Sequence, residues 1–298
     1  MLNTIFITGT ASGFGRATVE RFARAGWAVA ATVRHEKHRH IFDALPQVRV
    51  YVVDVTDHQR VHAAVKEVWS DFGHVDVVVN NAGFAHYGPL EASSPEQIRA
   101  QFDTNFFGLV TVCQAFLPFL RLQGSGTIVN VASLSAKMGF PFFTIYSASK
   151  AAVAALSEGL TVELAPFGIQ VKGVFPGTHA TQIFTKMDAG GGEAAHEYRP
   201  YLRHFIAAQS GISQVSSPNN VADLIWQAVH DRSGRYEYVA GRDATFLIAL
   251  KRLLPQGLWK AVQVRGLVRA PSKGQLRLLS RIMAGTDELE VRADPEPG

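Results

Sequence analysis

Short apolar runs rich in valine and isoleucine alternate with stretches in which apolar residues recur every three or four positions, almost from one end of the chain to the other. Runs of the first kind predict strands buried on both faces, and stretches of the second kind predict helices packed by one stripe. Strands are expected at residues 4–8, 28–33, 48–53, 75–80, 126–132, 170–175 and 236–240, and helices at 13–25, 58–72, 95–122, 145–167 and 219–230. This order is that of βα units, which build a parallel sheet with helices on both faces. Seven strands and the lack of repeats or linkers predict one α/β domain over residues 1–241. Two stretches break the rhythm. Residues 178–217 are too long for an ordinary connection and are read as a substrate lid, because long insertions near the carboxyl ends of strands commonly shape ligand sites. The second is the end after Gly241, where residues 242–284 predict a helical extension and the acidic, proline-containing residues 285–298 a disordered tail.

Composition narrows the class. At 298 residues and 47% hydrophobic content the chain can bury one sizeable core. Its single cysteine, Cys113, cannot form an internal disulfide, and the Met1 end runs into a strand without a secretory pattern, so a reducing, cytoplasmic setting is expected. No uninterrupted apolar run reaches the ~20 residues of a membrane span. The formal charge of +4 is too small to imply nucleic acid, although basic residues thicken between Lys251 and Arg281.

The first strand is followed at once by Thr8-Gly9-Thr10-Ala11-Ser12-Gly13-Phe14-Gly15, after which a helix opens. Gly9 permits a tight turn, Gly13 lets backbone amides approach a pyrophosphate, and Gly15 lets the helix pack closely; the helix N-terminus favours the anion. Further along, Tyr146 and Lys150 stand four residues apart on a predicted helix and therefore share a face. A phenol titrates near ~10, and a neighbouring ammonium stabilises the phenolate, so the pair can move a proton in either direction. Taken alone, such a pair is more often an ordinary helix surface.

The glycine spacing and this pair together resemble the short-chain dehydrogenase/reductase superfamily over residues 3–241, and the surroundings of Arg34 and the extended C-terminal end resemble most closely its steroid- and retinol-type reductases. The resemblance implies a Rossmann-type doubly wound sheet and carbonyl–alcohol interconversion by hydride transfer. It further implies that Ser133 hydrogen-bonds the substrate oxygen, that Lys150 also holds the nicotinamide ribose, and that Asn105 distorts its helix and holds a water in the proton relay. Asp54 and Val55 resemble the adenine contact, Asn81, Ala82 and Gly83 the turn after the fourth strand, and Pro176, Gly177, Thr178 and Thr181 the nicotinamide side. Thr10, Ser12 and Phe14 join the three glycines as cofactor contacts.

Val33 stands where NAD-preferring relatives carry an acid, and Arg34 resembles the arginine that grips the 2′-phosphate in NADP-preferring ones. NADP(H) is favoured over NAD(H) on that ground, against the competing picture of a solvated arginine among His35, Lys37, His38 and Arg39. Ala11 departs from the serine or basic residue of many NADP-preferring relatives, which leaves the task to Arg34 with Thr10 or Ser12.

Eleven histidines form no ligand motif, so no metal is expected. Phe84, His86, Phe140, Phe142, Phe143, Phe184, Tyr198, Tyr201 and Phe205 are candidates for a lipophilic substrate pocket or for ordinary core. Residues 244–270 mix apolar and basic side chains; packing on the domain is favoured there over docking on a membrane or covering the active site. The sequence thus predicts an NADP(H)-dependent enzyme acting on a small carbonyl or alcohol, as a homodimer or homotetramer. A nucleotide-binding regulator without chemistry is the alternative, which the intact Ser133, Tyr146 and Lys150 disfavour.

Overall fold

The computed structural model of the chain describes residues 2–177, 193–210 and 217–268. Among the described residues seven strands form one parallel sheet: β1 Thr4–Ile7, β2 Ala28–Val33, β3 Val48–Val52, β4 Val77–Asn80, β5 Gly126–Val131, β6 Ile169–Pro176 and β7 Glu237–Ala240. Their order is β3-β2-β1-β4-β5-β6-β7. The side-chain period of two sends alternate residues into two cores. Phe6, Ala30, Val78 and Ile128 pack on one side, under α2 (His58–Phe72), α4 (Gly108–Gln123) and α5 (Thr144–Glu163). Ile5, Val29, Val77 and Val129 pack on the other, under α1 (Gly13–Arg24) and α7 (Pro218–His230). A sheet covered on both faces needs continuous apolar strands, which is the pattern the sequence carries.

The strand order reverses between β1 and β4, and a crevice opens there outside the carboxyl ends of the strands. The helix expected at 95–122 is present but not regular. It runs as α3 (Pro95–Phe102), a π-turn at Asp103–Phe107 and then α4. Ser94 caps its start in a reciprocal capping box with Gln97. As one helix of 29 residues, Pro95–Gln123 is long and apolar enough by length and composition to cross a bilayer, and half of its most apolar stretch is buried in the fold.

Three further helices lie in the stretches that broke the rhythm: α6 Glu193–Ser210, α8 Arg242–Leu253 and α9 Gln256–Val268. Helix α6 falls inside the expected lid, whereas residues 178–192 and 211–216 of that lid, and the expected tail at 285–298, lie outside the described residues. Trp259 of α9 and Leu247 and Ile248 of α8 pack on Leu134 and Met138, just beyond β5.

Phe116 is fully buried, with its ring 4.8 Å from that of Phe6. Phe116→Ala should destabilise the protein by about 3–5 kcal/mol, read as a lower midpoint in chemical denaturation. A loss under about 1 kcal/mol would mean that this side of the sheet is not the close-packed core described.

Candidate active site

After β1 the chain turns through Gly9 at φ +70°, where a Cβ atom would stand 2.8 Å from the Ala82 Cα. A Cβ on Gly15 would stand 2.3 Å from the Gly9 carbonyl oxygen, so α1 can start beneath the turn only because that side chain is missing. The turns after β1 and β4 are stitched together. Thr8 Oγ1 accepts from the backbone N–H groups of Asn81 and Ala82, both at 2.9 Å. Asn81 Nδ2 donates to the carbonyl oxygens of Thr8 and Gly9, at 2.9 and 3.0 Å. Ser12 precedes α1 without a side-chain cap, and the dipole of the helix start there favours an anion.

One cleft runs past these turns. Gly9, Ser12, Gly13 and Phe14 line it, as do Asn81, Ala82 and Gly83. Arg34, Asp54 and Val55 line it as well, and so do Tyr146 and Lys150. Thr10 does not: it is fully buried, and its hydroxyl donates to the Thr32 carbonyl at 2.9 Å. It therefore cannot assist Arg34 with a phosphate. Gly15 serves the turn rather than the cleft surface. Pro176 ends β6, and the Gly177 N–H donates to the Ala240 carbonyl at 2.8 Å; Thr178 and Thr181 lie outside the described residues. The cleft also takes in His35, His38, Phe84 and Thr104, which the sequence motifs did not single out as cofactor contacts. Arg34 is exposed at the rim and donates through Nε to His35 Nε2 at 3.0 Å.

Tyr146 and Lys150 are one turn apart on α5. Lys150 is buried, its Nζ donates to the Val131 carbonyl at 2.8 Å, and burial pulls its pKa down to about 8. Burial pushes the Tyr146 phenol up from its ordinary value, and a hydrogen bond with Ser133 opposes that rise. Lys150 was expected to do the lowering; in the free protein Ser133 is the group that offsets burial. Ser133 itself is fixed at the end of β5, where its Oγ accepts from the Ser135 N–H at 3.1 Å.

Asn105 sits inside the π-turn and is buried. Its Oδ1 accepts from the Phe84 N–H at 3.0 Å, and its Nδ2 donates to the Phe84 carbonyl at 3.0 Å and to Ser149 Oγ at 3.2 Å. Ser149 Oγ in turn donates to the Tyr146 carbonyl at 2.7 Å. Gln101 was missed in the sequence. It is fully buried and holds the same loop, donating to the Phe84 carbonyl at 2.8 Å while its Oε1 accepts from the His86 N–H at 2.5 Å.

Next to Tyr146 lies an aromatic cluster. Tyr87, Phe142 and Phe143 form its buried part, with Phe140, Tyr198 and Phe205 packed on them. Phe142 is held at φ +64°, a conformation that a phenylalanine adopts only under constraint from its surroundings. Of the aromatic candidates, Phe84 faces the cleft instead, His86 is buried against Ser93 Oγ at 2.8 Å, Tyr201 is exposed, and Phe184 lies outside the described residues.

The profile of a family described as short chain dehydrogenase matches residues 3–191. The uncharacterized oxidoreductase YusZ of Bacillus subtilis is 31% identical over 86% of this chain and 95% of its own length. A 3-ketodihydrosphingosine reductase of Bacteroides thetaiotaomicron is 41% identical over 59% of this chain and 64% of its own. The crystal structure of a short-chain dehydrogenase from Streptomyces avermitilis, 32% identical, superposes with a TM-score of 0.75 over 89% of this chain and 95% of that one. Solved neighbours of this fold hold NADP in some cases and NAD in others.

In the unfolded chain Lys150 keeps its proton up to about pH 10.5, and in the fold only up to about pH 8. Between those values the unfolded state binds more protons, so this residue's contribution to stability rises with pH. Against Lys150→Met, the wild type should gain up to about 2 kcal/mol in denaturant unfolding between pH 8 and 9.5. A pH-independent difference would show that the ammonium is not desolvated.

Proposed function

The chain belongs to the short-chain dehydrogenase family, and on that premise we propose that it is an NADP(H)-dependent oxidoreductase interconverting a ketone or aldehyde and the corresponding alcohol. The observation that carries this is the half-buried Tyr146, its hydroxyl hydrogen-bonded with Ser133 and one turn from the buried Lys150, in a cleft continuous with the glycine turn.

The cleft suits a dinucleotide on its own terms. Gly9 and Ala82 bring two backbones together where no side chain fits, and the uncapped start of α1 offers amides to a pyrophosphate. When bound, the nicotinamide would supply or accept the hydride. In this proposal Ser133 donates to the substrate oxygen and orients it, and Tyr146 gives that oxygen a proton during reduction and takes one during oxidation. Lys150 keeps positive charge near the phenol and binds the nicotinamide ribose; Asn105 holds the relay together. The Gly9–Gly15 turn takes the pyrophosphate, Asp54 and Val55 take the adenine, and Pro176, Gly177, Thr178 and Thr181 take the nicotinamide side. Arg34 at the rim reads the 2′-phosphate, with Ser12 beside it.

The aromatic cluster against Tyr146 supports a lipophilic substrate, and the name of the Bacteroides relative supports a ketone. Phe107, Leu122 and Val162 stay exposed on the long helix through α4 and on α5, which supports assembly of copies through these helices.

With NADPH absorbance followed over a panel of apolar ketones, aldehydes and quinones, Tyr146→Phe should lower kcat by about a hundredfold or more. Its affinity for NADPH should stay as in the wild type. Undiminished turnover in this variant would overturn the proposal. Arg34→Ala should weaken NADP+ binding by about tenfold or more through loss of a charged hydrogen bond and leave NAD+ binding nearly unchanged. Equal losses for both would mean that Arg34 does not read the phosphate.

A further inference from the structure

We propose that the outward side of α8 and α9 docks on a lipid surface that carries negative charge. This rests on charge and exposure at the C-terminal end, not on the catalytic proposal.

Residues 244–286 contain eight basic side chains and no acidic one. The formal charge of +4 therefore divides into +8 on this segment and −4 on the rest of the chain. Within the same region α8 and α9 expose large apolar residues: Leu253 at 82%, Leu258 at 52%, Val262 at 49%, Val264 at 48% and Val268 at 50%. No other stretch of comparable length among the described residues exposes so many. Arg252, Lys260 and Arg265 are exposed among them, whereas the Lys251 ammonium donates to the Lys137 carbonyl.

The inward side is already occupied. Trp259 packs toward Leu134 and Met138, and Gln263 Nε2 donates to the Gly139 carbonyl at 3.4 Å. Packing on the domain and docking on a membrane thus use different sides of one helix. Apolar side chains interleaved with basic ones are what an anionic bilayer selects, because the former enter the headgroup boundary while the latter reach lipid phosphates. A second copy docked face to face would bring like charges together, and a polyanion such as nucleic acid would leave the valines and leucines unused.

Docking here would also serve the site. Helix α8 rests on the turn that follows Ser133, and α9 packs on α6, whose Tyr198 and Phe205 complete the aromatic cluster. A lipophilic carbonyl compound could then pass from the bilayer to that cluster with little exposure to water.

The test uses the full chain and sucrose-loaded vesicles, so that binding is read without turnover. The protein should sediment with vesicles of phosphatidylcholine mixed with phosphatidylglycerol, should not sediment with phosphatidylcholine alone, and should be released by salt. Lys260→Gln combined with Arg265→Gln should weaken the partition by about thirtyfold, since each exposed basic residue near an anionic surface contributes a near-equal share. Reduction of a water-soluble aldehyde should stay at wild-type rate in this double variant, because neither residue belongs to the cleft. Any of three results would overturn the proposal: no sedimentation with mixed vesicles, equal sedimentation with both vesicle types, or salt-sensitive binding to a DNA duplex in place of vesicles. Should the double variant lose its fold, the lipid and salt dependence of the wild type decides alone.

Discussion

The cleft is organised around an ammonium kept in the interior. Lys150 is buried, with its Nζ on the Val131 carbonyl, and burial brings its pKa to about 8. Taking a cation out of water is costly unless its surroundings are fixed, and the neighbouring contacts supply that fixity. Asn105 joins the loop after β4 to α5 through Phe84 and Ser149, and a Cβ on Gly83 would come within 3.0 Å of its Oδ1. Asn105 sits in the π-turn, where the chain departs from regular helical hydrogen bonding. The distortion and the ammonium belong to one arrangement.

Most of the fold was legible because both faces of the sheet are covered. Continuous apolar runs such as Val77-Val78-Val79 cannot belong to a half-exposed strand, and their alternation with helical stripes leaves few topologies. What escaped followed from contacts between distant residues. The helix expected through 167 ends at Glu163, since a separate short turn, Ala165–Phe167, carries Pro166 and Gly168 takes φ +69°. Helices α6, α8 and α9 lie where the sequence offered only a lid and an extension, because their partners, such as Met138 and Phe142, are far away along the chain.

Within the candidate site, spacing pointed to the glycine turn and to Tyr146 with Lys150, and the family resemblance to Ser133 and Asn105; the fold sets the turn, Tyr146 and Lys150 along one cleft, Ser133 against the Tyr146 phenol and Asn105 against the loop after β4. Burial of individual side chains was not legible. Thr10 belongs to the motif yet turns inward to Thr32, and Gln101 carries no motif yet holds the loop beside Asn105. The thickening of basic residues after Lys251 was legible in the chain, whereas the exposure of large apolar side chains such as Leu258 and Val262 among them was not.

The central claim concerns the poise of Tyr146, whose phenol burial pushes up while Ser133 opposes. The most direct measurement is the ultraviolet difference titration of tyrosinate, wild type minus Tyr146→Phe, without and with NADP+. The account predicts that Tyr146 titrates above ~10 in the free protein and below it with NADP+ present, and that Lys150→Met abolishes this fall. A Tyr146 that titrates above ~10 in both conditions would contradict it.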